Sequence, residues 1–263
     1  MNRAITLTIL GICLTGLLAS GLSTSKGAAQ ENLGIGARSQ SHSDKGKCKG
    51  LPSEKQLRDL LVQSQTAGGD AGGLFHGTRM WGALVNRDGE VCAFTTSTAD
   101  PTQVWPGSQA IAKAKAYTAN AFSLDTLALS TARLYTFTQP GHSLWSLGQS
   151  NLFNPNALAT PSGQSNGDDR IAGGLIFFGG GVPLYSNGKI IGGLGVSGDT
   201  SCTDHEIAKR VRNLAGLNPP GGALIDDITY SSVDGASVFT HPLCVNTLRN
   251  GTFIGNEPVA SGY

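Results

Sequence analysis

Three apolar runs, Leu175–Phe178, Val182–Tyr185 and Ile190–Val196, lie close together and are separated by glycine-rich breaks. Runs of this length predict β-strands. Asn187-Gly188 supplies two residues that tolerate positive φ, so the second and third runs pair as a hairpin with a type I′ turn. Gly179, Gly180 and Gly181 break the first run from the second and predict a sharp bend. Gly192, Gly193 and Gly195 strip side chains from the last run, so a packed helix or a ligand must approach its backbone. Earlier in the chain, Ala83–Val85 and Val91–Phe94 flank Asp88-Gly89, a second type I′ hairpin signal.

Helical periodicity fills the remaining stretches. Ser53-Glu54-Lys55-Gln56 reads as a capping box ahead of Leu57, Leu60 and Leu61, predicting a helix to about Thr66 that Gly68-Gly69 stops. Ser108 is placed to cap a long helix, Gln109–Phe122, whose stripe is Ile111, Lys115, Thr118 and Phe122. A shorter helix is expected near Leu127–Phe137. Thr203-Asp204-His205-Glu206 reads as a further capping box, opening a helix that faces Ile207, Val211 and Leu214 to the core and ends at Gly216. Residues 138–172 have no period and are long for a loop; Trp145, Leu147 and Phe153 within them should cover the sheet or a neighbouring subunit. Residues 217–263 read as an irregular extension with Pro219-Pro220. The order predicts an α/β (α+β) fold, one antiparallel five-stranded sheet with helices packed on it.

Residues 1–29 carry the pattern of a secretory signal: Arg3, an apolar stretch over 5–22, then Gly27-Ala28-Ala29. The apolar stretch is too short and interrupted to predict stable membrane insertion once the signal is removed. Residues 30–47 are polar and read as a disordered leader. The chain left after the signal has 17 basic and 18 acidic residues, which argues against nucleic acid as a partner. Export to the periplasm or the medium changes the meaning of the cysteines. Cys48, Cys92, Cys202 and Cys244 remain, an even number that favours two disulfides with three connectivities open. No C-x-x-C pair supports a zinc site instead.

The helix carrying Lys115-Ala116 and Thr118-Ala119, the Phe178–Leu184 bend FGGGVPL and the Gly195–Thr200 segment GVSGDT resemble the haem-binding proteins grouped with GlcG and the haem-degrading HbpS-type proteins. The related C-terminal domain of PduO-type cobalamin enzymes shares the pattern. The resemblance covers roughly residues 52–216, within a domain expected over 48–216. It implies a profilin-like or sensor-type layout, haem as the cofactor and a homo-oligomer.

The resemblance gives Lys115 and Thr118 their roles, and position suggests those of the other candidates. Lys115 would pair with a haem propionate at a cavity rim, Thr118 would offer a hydroxyl and Phe122 a wall. His205, in the first turn of the last helix, is the candidate iron or metal ligand. The bland alternatives are that Lys115 extends its ammonium to water at the stripe's edge, and that His205 faces solvent while Asp204 and Glu206 complement the helix dipole. Gly180 and Ser197 belong to glycine-rich turns, and the amides near Ser197–Thr200 could hold an anion. No C-x-x-C-H motif is present, which excludes covalently attached haem. No acid–base constellation and no G-x-S-x-G elbow stands out, so a binding protein is favoured over an enzyme of haem or small-molecule metabolism, such as haem degradation, with an oligomeric accessory or sensor protein as the blander alternative. The expected cavity lies between the glycine-rich strand and the helix presenting Lys115 and Thr118.

Overall fold

A computed structural model describes residues 47–149 and 174–260. The expected signal, nearly all of the leader and the middle of the long loop, Phe153 included, lie outside the described residues. The elements begin with α1 (Glu54–Ser64), then β1 (Trp81–Asn86), β2 (Val91–Thr96) and the long helix α2 (Ser108–Phe122). The short α3 (Trp145–Gln149), β3 (Gly181–Ser186), β4 (Lys189–Ser197) and α4 (Ser201–Leu214) complete the part of the chain that the sequence read as the domain. In the extension, β5 (Thr229–Tyr230), α5 (Ser231–Asp234), β6 (Thr240–His241), β7 (Thr247–Arg249) and β8 (Thr252–Gly255) follow.

The main sheet has four strands in the order β2-β1-β4-β3, all antiparallel. The expected fifth strand does not form. Residues 174–178 run alongside α2 instead, and the Ile176 amide donates to Thr118 Oγ1 at 3.0 Å rather than to a neighbouring strand.

Both faces of the sheet are covered. Leu57 and Leu61 of α1 and Ile207 and Val211 of α4 pack with Leu84, Val182, Leu184, Leu194 and Val196. On the opposite face Trp81, Ala83, Val85 and Phe94 meet Ala112 and Ala116 of α2. Alternation along β4 places Gly193 and Gly195 on that second face, opposite Val85 and Ala83. A Cβ at Gly195 would stand 1.9 Å from the Ala112 carbonyl oxygen, and one at Gly193 2.2 Å from that of Ala116. The glycines are there because α2 rests on bare backbone, so strand and helix touch where the sequence suggested a hollow.

Local chemistry explains most element ends. The Ser53–Gln56 capping box forms in both directions. Asn187 and Gly188 both take positive φ, 50° and 76°, as a type I′ turn requires. At Asp88-Gly89 only Gly89 is left-handed, and its amide donates to Asn86 O. This is a type I turn closed by a left-handed glycine, with the register slipping between Leu84 and Val85. Ser108 lies inside α2 and makes no cap; Gly107 precedes the helix. The last helix starts earlier than its sequence suggests: Thr200 is the cap and accepts from the Thr203 amide, while Thr203 Oγ1 donates to Ala71 O. At its other end Gly216 N bonds Asn213 O and Leu217 N bonds Arg212 O, a Schellman ending with Gly216 at φ +69°. The region near Leu127–Phe137 forms two 3₁₀ turns, Thr131–Leu134 and Thr136–Thr138, rather than an α-helix.

Two disulfides form, Cys48–Cys92 and Cys202–Cys244. The first ties the chain ahead of α1 to β2, and the second ties the start of α4 to the extension. Among the described residues no helix is long and apolar enough to cross a membrane.

Candidate functional site

The residues singled out from the sequence do converge, at the buried junction of α2, the 179–181 bend and the start of α4. Lys115 is fully buried, because its place on α2 points it beneath the bend. Gly180, at φ +118°, makes the room: a Cβ there would lie 2.6 Å from Lys115 Nζ. The ammonium donates to Asp204 Oδ2 at 2.6 Å and to Val196 O at 3.1 Å, and sits 4.8 Å from the centre of the Phe178 ring.

Asp204 is thus the partner that the sequence did not identify. Its second oxygen accepts from the amides of Gly198 at 3.1 Å and Asp199 at 2.9 Å. The anion expected beside Lys115 and the anion expected on the amides after Ser197 are one and the same carboxylate, supplied by the protein. Burial raises the Asp204 pKa to about 6 against the pull of Lys115, and burial lowers that of Lys115 against the pull of Asp204. A ligand carboxylate could reach this lysine only by displacing Asp204.

The other expected residues surround this pair. Thr118 is buried and its hydroxyl donates to Ala114 O and accepts from Ile176 N, so both its bonds are spent inside the protein. Phe122 is half-buried at the end of α2, with its ring 6.1 Å from that of Phe177 in an edge-to-face contact. Ser197 is buried and ends β4 opposite Trp81.

His205 does not face solvent; it is 1% exposed. Its Nε2 lies 3.2 Å from the Ile228 amide and 3.2 Å from Asp227 Oδ1, while Nδ1 is buried with no hydrogen-bond partner among the described residues. What covers it is the extension, which also covers most of the charged face of α4. Arg212 forms a fully buried bidentate pair with Asp226, at 2.6 and 2.8 Å. Lys209 reaches Glu206 at 2.8 Å and Asp227 at 3.1 Å, and Arg210 reaches Glu206 at 3.0 Å. Burial pushes the Asp227 carboxyl up, but His205 and Lys209 prevail and hold it far below the usual carboxylate range. Glu206 is likewise held low, Lys209 and Arg210 outweighing burial.

Asp199 is a further residue that sequence reading missed. Its two oxygens accept from the amides of Leu74, Phe75, Gly77 and Thr200, pinning the loop ahead of β1 to the GVSGDT segment. An aspartate between glycine and threonine carries no sign of that role in sequence, since three of its four partners, Leu74, Phe75 and Gly77, lie more than a hundred residues away.

This arrangement, a lysine from α2 locked under the FGGGVPL bend by the GVSGDT turn, lies within the stretch that a family model matches. Residues 74–212 match the model of the family described as haem degrading protein HbpS-like. The chain belongs to the HbpS-like family.

Several solved structures are similar to this chain. The crystal structure of a PduOC:haem complex is 22% identical, with 62% of this chain and 92% of that one covered and a TM-score of 0.44. The Klebsiella pneumoniae protein ORFY, of the family DUF336, is 21% identical, covering 62% and 88%, at a TM-score of 0.42. HbpS itself is 18% identical, covering 62% and 89%, at a TM-score of 0.40. No curated protein matches the chain.

Proposed function

We propose that this protein is an exported haem-binding protein, holding haem or a similar tetrapyrrole against the HbpS-like part of the fold. The observation that carries this reading is the family match over residues 74–212, which takes in α2, the glycine bend and most of α4. The family's description names haem, which supports the same cofactor here.

The site residues take revised roles in this proposal. Lys115, Thr118, Gly180, Ser197 and His205 are the buried wall, and Lys115 positions the bend through Asp204 instead of touching a propionate. Phe122 is the member of the set left partly open, next to Phe177, and a planar macrocycle would lie against these rings. Export to the periplasm or medium is supported by the two disulfides and by the signal-like pattern of residues 1–29. A homo-oligomer is part of the proposal, with Trp145, 41% exposed, a contact residue.

Hemin titration of the purified protein tests the reading. A saturable Soret shift is expected, weakened about tenfold, or about 1.4 kcal/mol, by Phe122→Ala. Unsaturable uptake that ignores Phe122 would remove the ligand assignment. The family's description favours a second reading, haem breakdown. It predicts that bound haem loses its Soret band with reductant and oxygen faster than free hemin does.

A further inference from the structure

Outside the haem reading the fold gathers a second set of ligand atoms. Cys202 at the start of α4 and His241 and Cys244 of the extension place two sulfurs and an imidazole nitrogen within 4.8 Å of one another, all three residues buried. In the structure the two sulfurs are joined as a disulfide. We propose that reduction of Cys202–Cys244 turns this cluster into a Cys₂His site for a thiophilic d¹⁰ cation such as Zn²⁺, so that ion binding is gated by the redox state of the disulfide.

Three features of the site support this beyond proximity. The imidazole is prepared as a ligand: Nδ1 lies 2.7 Å from Pro242 O, and since a carbonyl can only accept, Nδ1 carries the proton. The lone pair is therefore on Nε2, facing Ser201 Oγ at 3.5 Å and the Gly179 amide at 3.3 Å. A backbone carbonyl holding the far nitrogen is the usual outer partner of a metal-bound histidine. The sulfurs sit at a helix start, where the dipole favours thiolate, and Cys244 Sγ already accepts from the Cys202 amide at 3.2 Å. A cleft of about 390 Å³ reaches Cys244 and His241, lined also by Tyr135, Phe178, Ser201 and Glu257. A water from that cleft would fill the fourth position.

Zinc binds sulfur at about 2.3 Å and imidazole at about 2.0–2.1 Å, so the ligand atoms of a tetrahedron stand under about 4 Å apart. With the ligand atoms within 4.8 Å of one another, the sulfur–sulfur bond must open, the imidazole must give up the Gly179 amide, and the ligands must close by up to about 1 Å on the ion. Among the described residues no histidine or carboxylate joins Cys48–Cys92 in such a group.

The redox step balances with a dithiol as reductant. A thiolate of the dithiol attacks Cys244 Sγ from the cleft, the sulfur–sulfur bond breaks, and Cys202 leaves as the thiolate. The second thiol of the reductant, as thiolate, then resolves the mixed disulfide, freeing Cys244 and leaving the reductant oxidised by two electrons. The cation takes the place of the thiol protons.

Cobalt(II), a coloured stand-in for zinc, tests the proposal, with a phosphine as reductant so that no added thiol competes. Reduced wild-type protein should show thiolate-to-cobalt charge-transfer bands that one equivalent of Zn²⁺ removes, and oxidised protein should show none. Cys202→Ser should abolish the bands, His241→Gln should weaken cobalt binding by roughly tenfold or more, and Cys48→Ser/Cys92→Ser should leave the bands unchanged. The proposal fails if the reduced, folded protein gives no bands, or if the bands survive in Cys202→Ser. It fails equally if reduction unfolds the chain, by circular dichroism, and the ion does not restore it. Because the readout involves no hemin, failure here leaves the haem reading standing, and the reverse holds too.

Discussion

A lysine with no solvent exposure is tolerable only beside a carboxylate, and the Lys115–Asp204 pair therefore behaves as a unit. Replacing Lys115 with Met strands a buried negative charge and should cost about 3–5 kcal/mol in urea unfolding. Adding Asp204→Asn should recover most of that loss, because the amide oxygen still accepts from Gly198 and Asp199. If the double variant is no more stable than Lys115→Met, the pair is not coupled in this way. His241 provides a second test at this scale. Burial lowers its pKa from 6.5 to about 4, reinforced by the charges of His205 and Lys115 and opposed by the bond to Pro242. Between those pH values the unfolded chain takes up a proton that the folded one refuses. This contribution to stability is therefore whole above pH 6.5 and falls by about 3 kcal/mol as the pH drops toward 4. The urea midpoint of the oxidised protein should follow that course, and His241→Gln should flatten it. Neither partnership was legible in the chain: Lys115 and Asp204 are 89 residues apart, and His241 lies outside the region of family resemblance.

Elements were legible where their ends are decided locally. Asn187-Gly188, the Ser53–Gln56 box and Gly216 did what their side chains and backbone freedom dictate. Thr203 did not, although it heads an equally good capping pattern. Asp204 is drawn down onto Lys115, so the helix begins at Ser201 with Thr200 as its cap. Leu175–Phe178 has strand composition, but β3 already forms the edge of the sheet and the segment serves α2 instead. The glycines of β4 were read correctly as a close approach, with helix or ligand left open. The helix is the occupant. Gly195→Ala would drive a methyl into the Ala112 carbonyl, and because backbone opposes it on both sides it should cost about 3 kcal/mol or more. Gly141→Ala, where a Cβ meets nothing within 4 Å but φ is +83°, should cost only about 1–2 kcal/mol. Denaturant midpoints of the two variants would distinguish packing from backbone strain.

At the scale of the whole molecule the extension is what sequence reading undervalued. It reads as irregular, yet Asp226 and Asp227 within it neutralise Arg212 and Lys209 and cover His205. Charges on α4 that would ordinarily form a solvated face are buried for that reason. A chain ended after Leu217 should expose or strand them, and is expected to be recovered unfolded or aggregated where the longer chain is soluble. A stable, cooperative shortened chain would contradict this account. The Cys48–Cys92 crosslink closes a separation of 44 residues, and its removal by paired Ser substitutions should cost about 4 kcal/mol in thermal or urea unfolding.

By itself the sequence determined the helices and hairpins whose ends rest on neighbouring residues, the even set of cysteines, and the family, because propensity, turn chemistry and short motifs act over a few positions. Only the tertiary structure decided which cysteines join, which carboxylate meets Lys115, that the glycine-rich strand receives a helix, and that the sheet stops at four strands. Those outcomes depend on groups tens to hundreds of residues apart competing for the same buried space. No local pattern encodes who wins it.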